Sequence, residues 1–205
     1  GIPVWGFKNP RTARLLPFWR RVFARVDRRD AYLIVVRNPI SVARSLATRN
    51  AMGARRASLL WLLHMTDAVI HTRGALRVCL DYDALLDAPE QQLDRVARGL
   101  GLSPPTAHPG AVRELIDDFL SDDLRSTRFE ADDLPLDESI SALAVRAYEL
   151  LRSAAVDEDT PSQARLQRSF GQIRARLREL EPLLVEADAL EERRLTLQED
   201  VARQG

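Results

Sequence analysis

An arginine at the junction of a predicted strand and a predicted helix is the first residue that could bind an anion. Residues 31–36 form a short apolar run rich in β-branched side chains, the pattern of a strand covered on both faces. Arg37 follows directly, and Asn38 and Pro39 suit the N-cap and first position of a helix. Open α/β sheets bind ligands at the carboxyl ends of their strands, so a guanidinium there, beside a helix N-terminus, suits an anion.

Two further polar side chains could act near this arginine. Ser45 lies eight residues after Arg37, about two turns along the predicted helix, where its hydroxyl could help to hold the same anion. Lys8 is the only lysine in the sequence, and it ends a strand predicted over residues 4–8, at the same edge of the sheet. A positioned ammonium stabilises negative charge that develops in a transition state.

The stretch from Arg37 to Ser45 resembles the 3′-phosphate-binding segment of the sulfotransferases that use 3′-phosphoadenosine 5′-phosphosulfate (PAPS). That segment has a strand, an Arg, usually a Pro two residues later, and a Ser eight residues after the Arg, and Pro39 supplies the middle element. Lys8 matches the lysine of the family's Lys-Asp-Pro motif, whereas Asn9 replaces the Asp and leaves a carboxylate role there open. The resemblance implies that Arg37 and Ser45 bind PAPS and that Lys8 is catalytic.

Tyr82 and two later arginines are weaker candidates for contacts to the nucleotide. Tyr82 follows a predicted strand over residues 76–80 and resembles the strand-end tyrosine that lies beside the adenine in the family. Arg125 and Arg128 lie in a loop that is rich in acidic residues. They could contact the nucleotide or form surface ion pairs, and the sequence leaves both alternatives open.

The loop that should bind the 5′-phosphosulfate does not occur in the sequence. The family places a glycine- and serine/threonine-containing loop before the lysine strand, and a kinase would need G-x-x-x-x-G-K-[ST]. Neither occurs in the 205 residues. Because the resemblance covers roughly residues 3–135, it predicts a sulfotransferase domain that is truncated at its N-terminus. We expect the catalytic base to lie in the missing part and this chain alone to be inactive.

The composition is that of an ordinary soluble domain. The chain is 45% hydrophobic and 29% charged, with a formal net charge of zero, so no overall basic field indicates a nucleic-acid partner. No apolar run is long enough to span a membrane, and no metal-ligand spacing occurs. The single cysteine, Cys79, excludes an intrachain disulfide framework. A cytoplasmic location is therefore expected.

The predicted elements alternate between strands and helices, which indicates an α/β fold with a doubly wound parallel sheet flanked by helices. We expect a partial, P-loop-like sulfotransferase domain over residues 1–155, a linker over 156–162 and a helical segment over 163–205. The predicted strands cover residues 4–8, 31–36 and 76–80, and the predicted helices cover residues 12–26, 39–50, 54–72, 89–100, 111–120 and 138–153.

The C-terminal segment carries apolar residues at alternating three- and four-residue steps. Pro182 is expected to kink or break the helix. The segment is either a solvated helix lying on the domain or a coiled coil that self-associates or tethers another module. The seam residues are Leu166, Phe170, Ile173, Leu177, Leu180 and Leu184.

These patterns predict a PAPS-dependent sulfotransferase that transfers a sulfuryl group to a hydroxyl of an acceptor, with a glycan as one candidate and without a metal. Two alternatives remain. One is a small-molecule kinase of the same fold class, and the other is a non-catalytic α/β scaffold that acts through its C-terminal coiled coil.

Overall fold

Two parallel strands, β1 (Ala31–Val36) and β2 (Leu76–Asp81), form a small sheet in a structure that is otherwise mostly helical, at 73%. The structure is a computed structural model that describes residues 4–120, 129, 131–156 and 160–204. The chain divides into two compact units, Gly1–Phe170 and Gly171–Gly205.

Eight α-helices occur among the described residues, and they confirm most of the predicted ones. They are α1 (Thr12–Arg25), α2 (Pro39–Asn50), α3 (Ala54–His71), α4 (Tyr82–Asp87), α5 (Pro89–Leu100), α6 (Pro109–Glu114), α7 (Ala142–Val156) and α8 (Thr160–Gln204). A π-helical turn, Leu115–Phe119, continues α6, and 3-10 turns cover Pro105–Ala107 and Ala131–Leu136. None of the described helices is both long and apolar enough to cross a membrane.

The parallel register brings the carboxyl ends of the two strands together. Val36 pairs with Asp81, so the residues that follow, Arg37 and Tyr82, leave the sheet side by side. A parallel pair needs a long crossover, which α2 and α3 supply here. The predicted juxtaposition of Arg37 and Tyr82 at one sheet edge is therefore confirmed.

Helices cover both faces of β2. On one face, Val78 and Leu80 form a buried cluster with Val96 of α5. On the other face, Arg77 donates to the carbonyl oxygen of Val69 in α3 at 2.8 Å. On that face Arg77 also bonds Gln163 of α8 at 2.6 Å, and Asp81 lies 4.0 Å from the Arg152 guanidinium of α7. The α/β class, with a small parallel sheet between helices, is thus observed.

The prediction that β1 is covered on both faces is wrong. Ile34 and Val36 are buried, but Leu33 and Val35, on the opposite face, are 43% and 44% exposed. The helix α5 packs on Val78 and Leu80 of β2 on that face and covers β1 only in part. Among the described residues β1 has one strand partner, β2, so its other edge has no strand beside it.

The prediction of a strand over residues 4–8 is also wrong. Residues 4–9 have no regular structure. Instead, Phe7 lies 5.2 Å from Trp19 and Trp5 lies 6.5 Å from Phe23, between ring centroids. Because both aromatic side chains pack along α1, the segment is held by ring contacts and not by a ladder of backbone hydrogen bonds.

The C-terminal helix begins earlier than expected and is not broken by proline. Residues 160–162 of the predicted linker belong to α8, and residues 157–159 lie outside the described part. The helix runs through Pro182, although proline lacks the amide hydrogen that a helix interior uses. The boundary between the two compact units falls within α8, after Phe170.

Candidate functional site

Arg37 is held at the carboxyl end of β1 by its backbone. The indole Nε1 of Trp61, in α3, donates to the carbonyl oxygen of Arg37 at 3.1 Å. Trp61 is itself buried and makes an edge contact with Tyr148 of α7, with ring centroids 6.4 Å apart. A core residue therefore fixes the direction in which the chain, and with it the guanidinium, leaves the sheet.

The guanidinium of Arg37 lies over the ring of Tyr82, with Cζ 4.8 Å from the ring centroid. This is a cation–π contact, which uses the flat face of the guanidinium. The N–H groups lie in the guanidinium plane, so stacking leaves the donor edge geometrically suited to a phosphate or sulfate. The structure thus brings together two of the predicted site residues in an arrangement compatible with anion binding.

Tyr82 is positioned by the N-cap of α4. The buried carboxylate of Asp81 accepts hydrogen bonds from the amides of Asp83 and Ala84, at 2.9 and 3.0 Å. This cap starts α4 at Tyr82, directly after β2. The tyrosine ring therefore stands on a strand–helix junction that matches the junction under Arg37.

The first turn of α2 is buried, so the helix N-terminus contributes less to anion binding than the sequence predicts. Asn38 caps it by accepting from the amide of Ile40 at 2.9 Å, and Pro39 has no amide hydrogen to offer. Asn38, Ile40 and Ser41 are all buried, and the Asn38 side chain donates to the carbonyl oxygen of Phe129 at 3.0 Å. The side chain of Arg37, more than these backbone amides, is therefore what this edge offers to an anion.

Ser45 and Lys8 are placed less favourably. Ser45 is half-buried on α2, two turns beyond the N-cap, and its side chain makes no hydrogen bond to the described residues. Lys8 is exposed in the irregular N-terminal segment, not at the end of a strand of its own, and makes no polar contact within the described part of the chain. The structure does not bring Lys8 into contact with Arg37 or Tyr82, and its catalytic role stays a prediction.

Three residues of this site were not found by sequence reasoning. Asp81 could have been recognised as an N-cap, because an Asp directly before a helix is a known signal. Trp61 and Phe129 carry no comparable signal, since their contacts to Arg37 and Asn38 join residues far apart in the sequence.

Phe129 contacts two residues of the segment that begins α2, Asn38 and Arg44. Besides accepting from Asn38, it receives the guanidinium of Arg44 over its ring, with Cζ 4.2 Å from the centroid. The predicted late contacts Arg125 and Arg128 lie outside the described residues.

Cys79, in the middle of β2, has no part in the site. It is buried, and this burial raises the pKa of its thiol to about 11, against the opposing effect of the Arg77 and Arg95 guanidinium groups. A thiol with that pKa is almost entirely protonated at neutral pH and is a poor nucleophile.

Comparison of the chain with family models, with characterised proteins and with solved structures gives no match in any of the three. The sulfotransferase resemblance therefore depends on the residues of the site alone.

Proposed function

We propose that this chain is part of a PAPS-dependent sulfotransferase and that the edge formed by Arg37 and Tyr82 binds the 3′-phosphoadenosine group. The observation that carries the proposal is the guanidinium of Arg37 lying 4.8 Å above the Tyr82 ring, where two parallel strands end. In this arrangement Arg37 binds the 3′-phosphate and Tyr82 provides a surface beside the adenine.

The transfer itself needs groups that this edge does not provide. The acceptor hydroxyl oxygen attacks sulfur, the bond between sulfur and the phosphate oxygen breaks, and a base takes the hydroxyl proton. Lys8 is the proposed stabiliser of the leaving phosphate oxygen. Its exposed position in a segment held by ring contacts means that it would have to approach the bound nucleotide by a movement of residues 4–9.

The open edge of β1 supports the proposal of a larger sheet. Leu33 and Val35 are half-exposed and β1 has one strand partner among the described residues. An uncovered apolar strand of this kind normally pairs with a further strand or is covered by another element. A strand that carries a phosphosulfate-binding loop would pair there and complete the nucleotide site.

The test measures the affinity of this chain for adenosine 3′,5′-bisphosphate and for adenosine 5′-monophosphate. Binding is followed by NMR titration of the backbone amide signals of residues 37–45 and 82. We expect the bisphosphate to bind more tightly, because only it carries the phosphate that Arg37 recognises. Equal affinity for the two nucleotides, or shifts confined to other parts of the chain, would contradict the proposal.

A second candidate function is self-association through α8, and one observation favours it. Leu183, Leu190 and Leu197 recur at intervals of seven residues and are all exposed on the second unit. Seven-residue spacing of leucines is the signature of a coiled-coil seam. In this alternative the α/β unit is a scaffold and the helix recruits a second copy.

A further inference from the structure

The basic residues of the chain are unevenly distributed, although its formal net charge is zero. Residues 1–30 contain eight of the 30 basic side chains and two of the 30 acidic ones, Asp27 and Asp30. Asp30 is already engaged, because its carboxylate accepts from Arg20 at 3.2 Å. The N-terminal segment and α1 therefore form a strongly basic region on a chain whose remainder is acidic.

The solvent face of α1 combines this charge with an exposed aromatic ring. Arg14, Phe18, Arg21 and Arg25 follow one another at four-, three- and four-residue steps, which places them on one side of the helix. All four are exposed, although Arg14 also forms an ion pair with Asp67 of α3 at 3.0 Å, and the Phe18 side chain is 52% exposed between the arginines. A phenylalanine left in water at the centre of an arginine stripe is not explained by packing within the chain.

The irregular N-terminal segment widens this face with further apolar side chains. Trp5 is 68% exposed and stacks on Phe7 with ring centroids 5.8 Å apart. Phe7 contacts Trp19 of α1, which in turn meets Phe18 at 5.4 Å, so the rings form a continuous row. The exposed aliphatic residues that border the row are Val4, Leu15 and Val26.

We propose that this basic–aromatic face, formed by residues 4–8 and α1, binds the surface of an anionic lipid membrane. Arginines beside exposed Trp, Phe and Leu side chains are the composition of helices that lie in the plane of a membrane interface. Arg21 and Arg25 contact lipid phosphates, while Phe18, Trp5 and the bordering aliphatic side chains enter the boundary between headgroups and acyl chains.

The arrangement of the rings favours lipid over a single-stranded nucleic acid. A nucleic acid stacks its bases on free aromatic faces. Here Trp5, Phe7 and Trp19 cover one another at 5.2–5.8 Å, and apart from Phe18 the remaining exposed apolar side chains are aliphatic, which suits acyl chains better than bases. The proposal shares residues 4–8, and with them Lys8, with the proposed transfer step, but it does not involve the proposed nucleotide-binding residues Arg37 and Tyr82.

The test is co-sedimentation of this chain with vesicles made of equal parts phosphatidylglycerol and phosphatidylcholine, compared with vesicles of phosphatidylcholine alone. We expect binding to the mixed vesicles only, with a blue shift of tryptophan fluorescence that the variant Trp5→Phe reduces, because Trp5 is the exposed indole. The double variant Arg21→Glu with Arg25→Glu should weaken binding at least about tenfold, and Phe18→Ser should weaken it as well.

A matched control separates this face from charge in general. Arg165 and Arg168 are exposed arginines at the start of α8, and changing both to Glu alters the net charge by the same amount. We expect that control to bind vesicles like the unmodified chain, with circular dichroism showing that all variants keep their helices. The proposal is overturned if the unmodified chain does not bind the mixed vesicles, or if the control variant loses binding as much as the Arg21 and Arg25 variant. It is also overturned if Phe18→Ser has no effect on binding, or if a single-stranded oligonucleotide displaces the vesicles.

Discussion

The residue that matters most for the proposed function is Arg37, and its surroundings show how a fold positions a charged side chain. Trp61 holds its backbone carbonyl oxygen and Tyr82 lies beneath its guanidinium. Both partners come from elements that also build the core. The geometry of the cation therefore follows from packing, and a change at Trp61 should alter the site without touching the ligand.

Cys79 allows a test, again on a single residue, of how burial affects the ionisation of a side chain. Its pKa rises from 9.0 to about 11 because the sheet interior disfavours the thiolate. Since the folded pKa lies above the unfolded one, the stabilisation is complete below about pH 9 and is lost as the pH rises through the folded pKa. Two units of pKa correspond to about 2–3 kcal/mol.

We therefore expect the free energy of unfolding to fall by about that amount between pH 9 and pH 11. In the variant Cys79→Ala, which has no thiol to ionise, the fall should be smaller by the same amount. Urea denaturation at a series of pH values measures both. An identical pH dependence in the two proteins would show that the thiol is more accessible than the structure indicates.

At the scale of elements, the contact between α5 and β2 depends on a glycine. A Cβ atom added to Gly99 would lie 2.5 Å from Cγ2 of Val78, which is closer than real Cβ contacts. Val78 is buried and β-branched, so it cannot easily turn away. The absence of a side chain at Gly99 therefore permits the close approach of α5 to β2.

The variant Gly99→Ala should accordingly destabilise the protein by about 1–3 kcal/mol, the usual cost of overpacking a core. Helix propensity alone predicts the opposite sign, a gain of up to about 1 kcal/mol. The matched control is Gly171→Ala in α8, where an added Cβ meets nothing within 4 Å and should stabilise. Denaturation midpoints of the two variants decide the matter, and a gain in both would contradict the packing argument.

Element boundaries were predictable where local chemistry marks them. The strand β1, the Asn38–Pro39 start of α2 and the end of α5 at Leu100 all lie where predicted. The irregular conformation of residues 4–8 was not predictable, because it depends on contacts of Trp5 and Phe7 with aromatic rings of α1.

The candidate site, too, was predictable only in part from the sequence. Two parallel strands ending together place Arg37 beside Tyr82, and that much follows from the pattern. The contact between Asn38 and Phe129, 91 residues apart, depends on the tertiary path of the chain.

At the scale of the whole molecule, the C-terminal helix gives a prediction that separates the two candidate functions. If α8 forms a coiled coil between copies, the double variant Leu190→Asp with Leu197→Asp should convert a dimer to a monomer in analytical ultracentrifugation. Nucleotide binding should be unchanged, since these residues belong to the second unit. A matched double change at the half-exposed Arg174 and the exposed Arg178, each to Gln, should leave the dimer intact. A chain that is monomeric before any substitution would remove the coiled-coil alternative.

The central claim is that Arg37 recognises a 3′-phosphate, and one measurement tests it most directly. Affinities of adenosine 3′,5′-bisphosphate and adenosine 5′-monophosphate are compared for the unmodified chain, for Arg37→Ala and for Arg49→Ala. Arg49 is an exposed arginine in the last turn of the same helix, α2, and controls for general loss of charge. We expect Arg37→Ala to weaken binding of the bisphosphate by about 2–3 kcal/mol and to leave the monophosphate nearly unchanged, while Arg49→Ala affects neither. Equal losses for both nucleotides in Arg37→Ala, or an equal loss in the Arg49 control, would contradict the assignment.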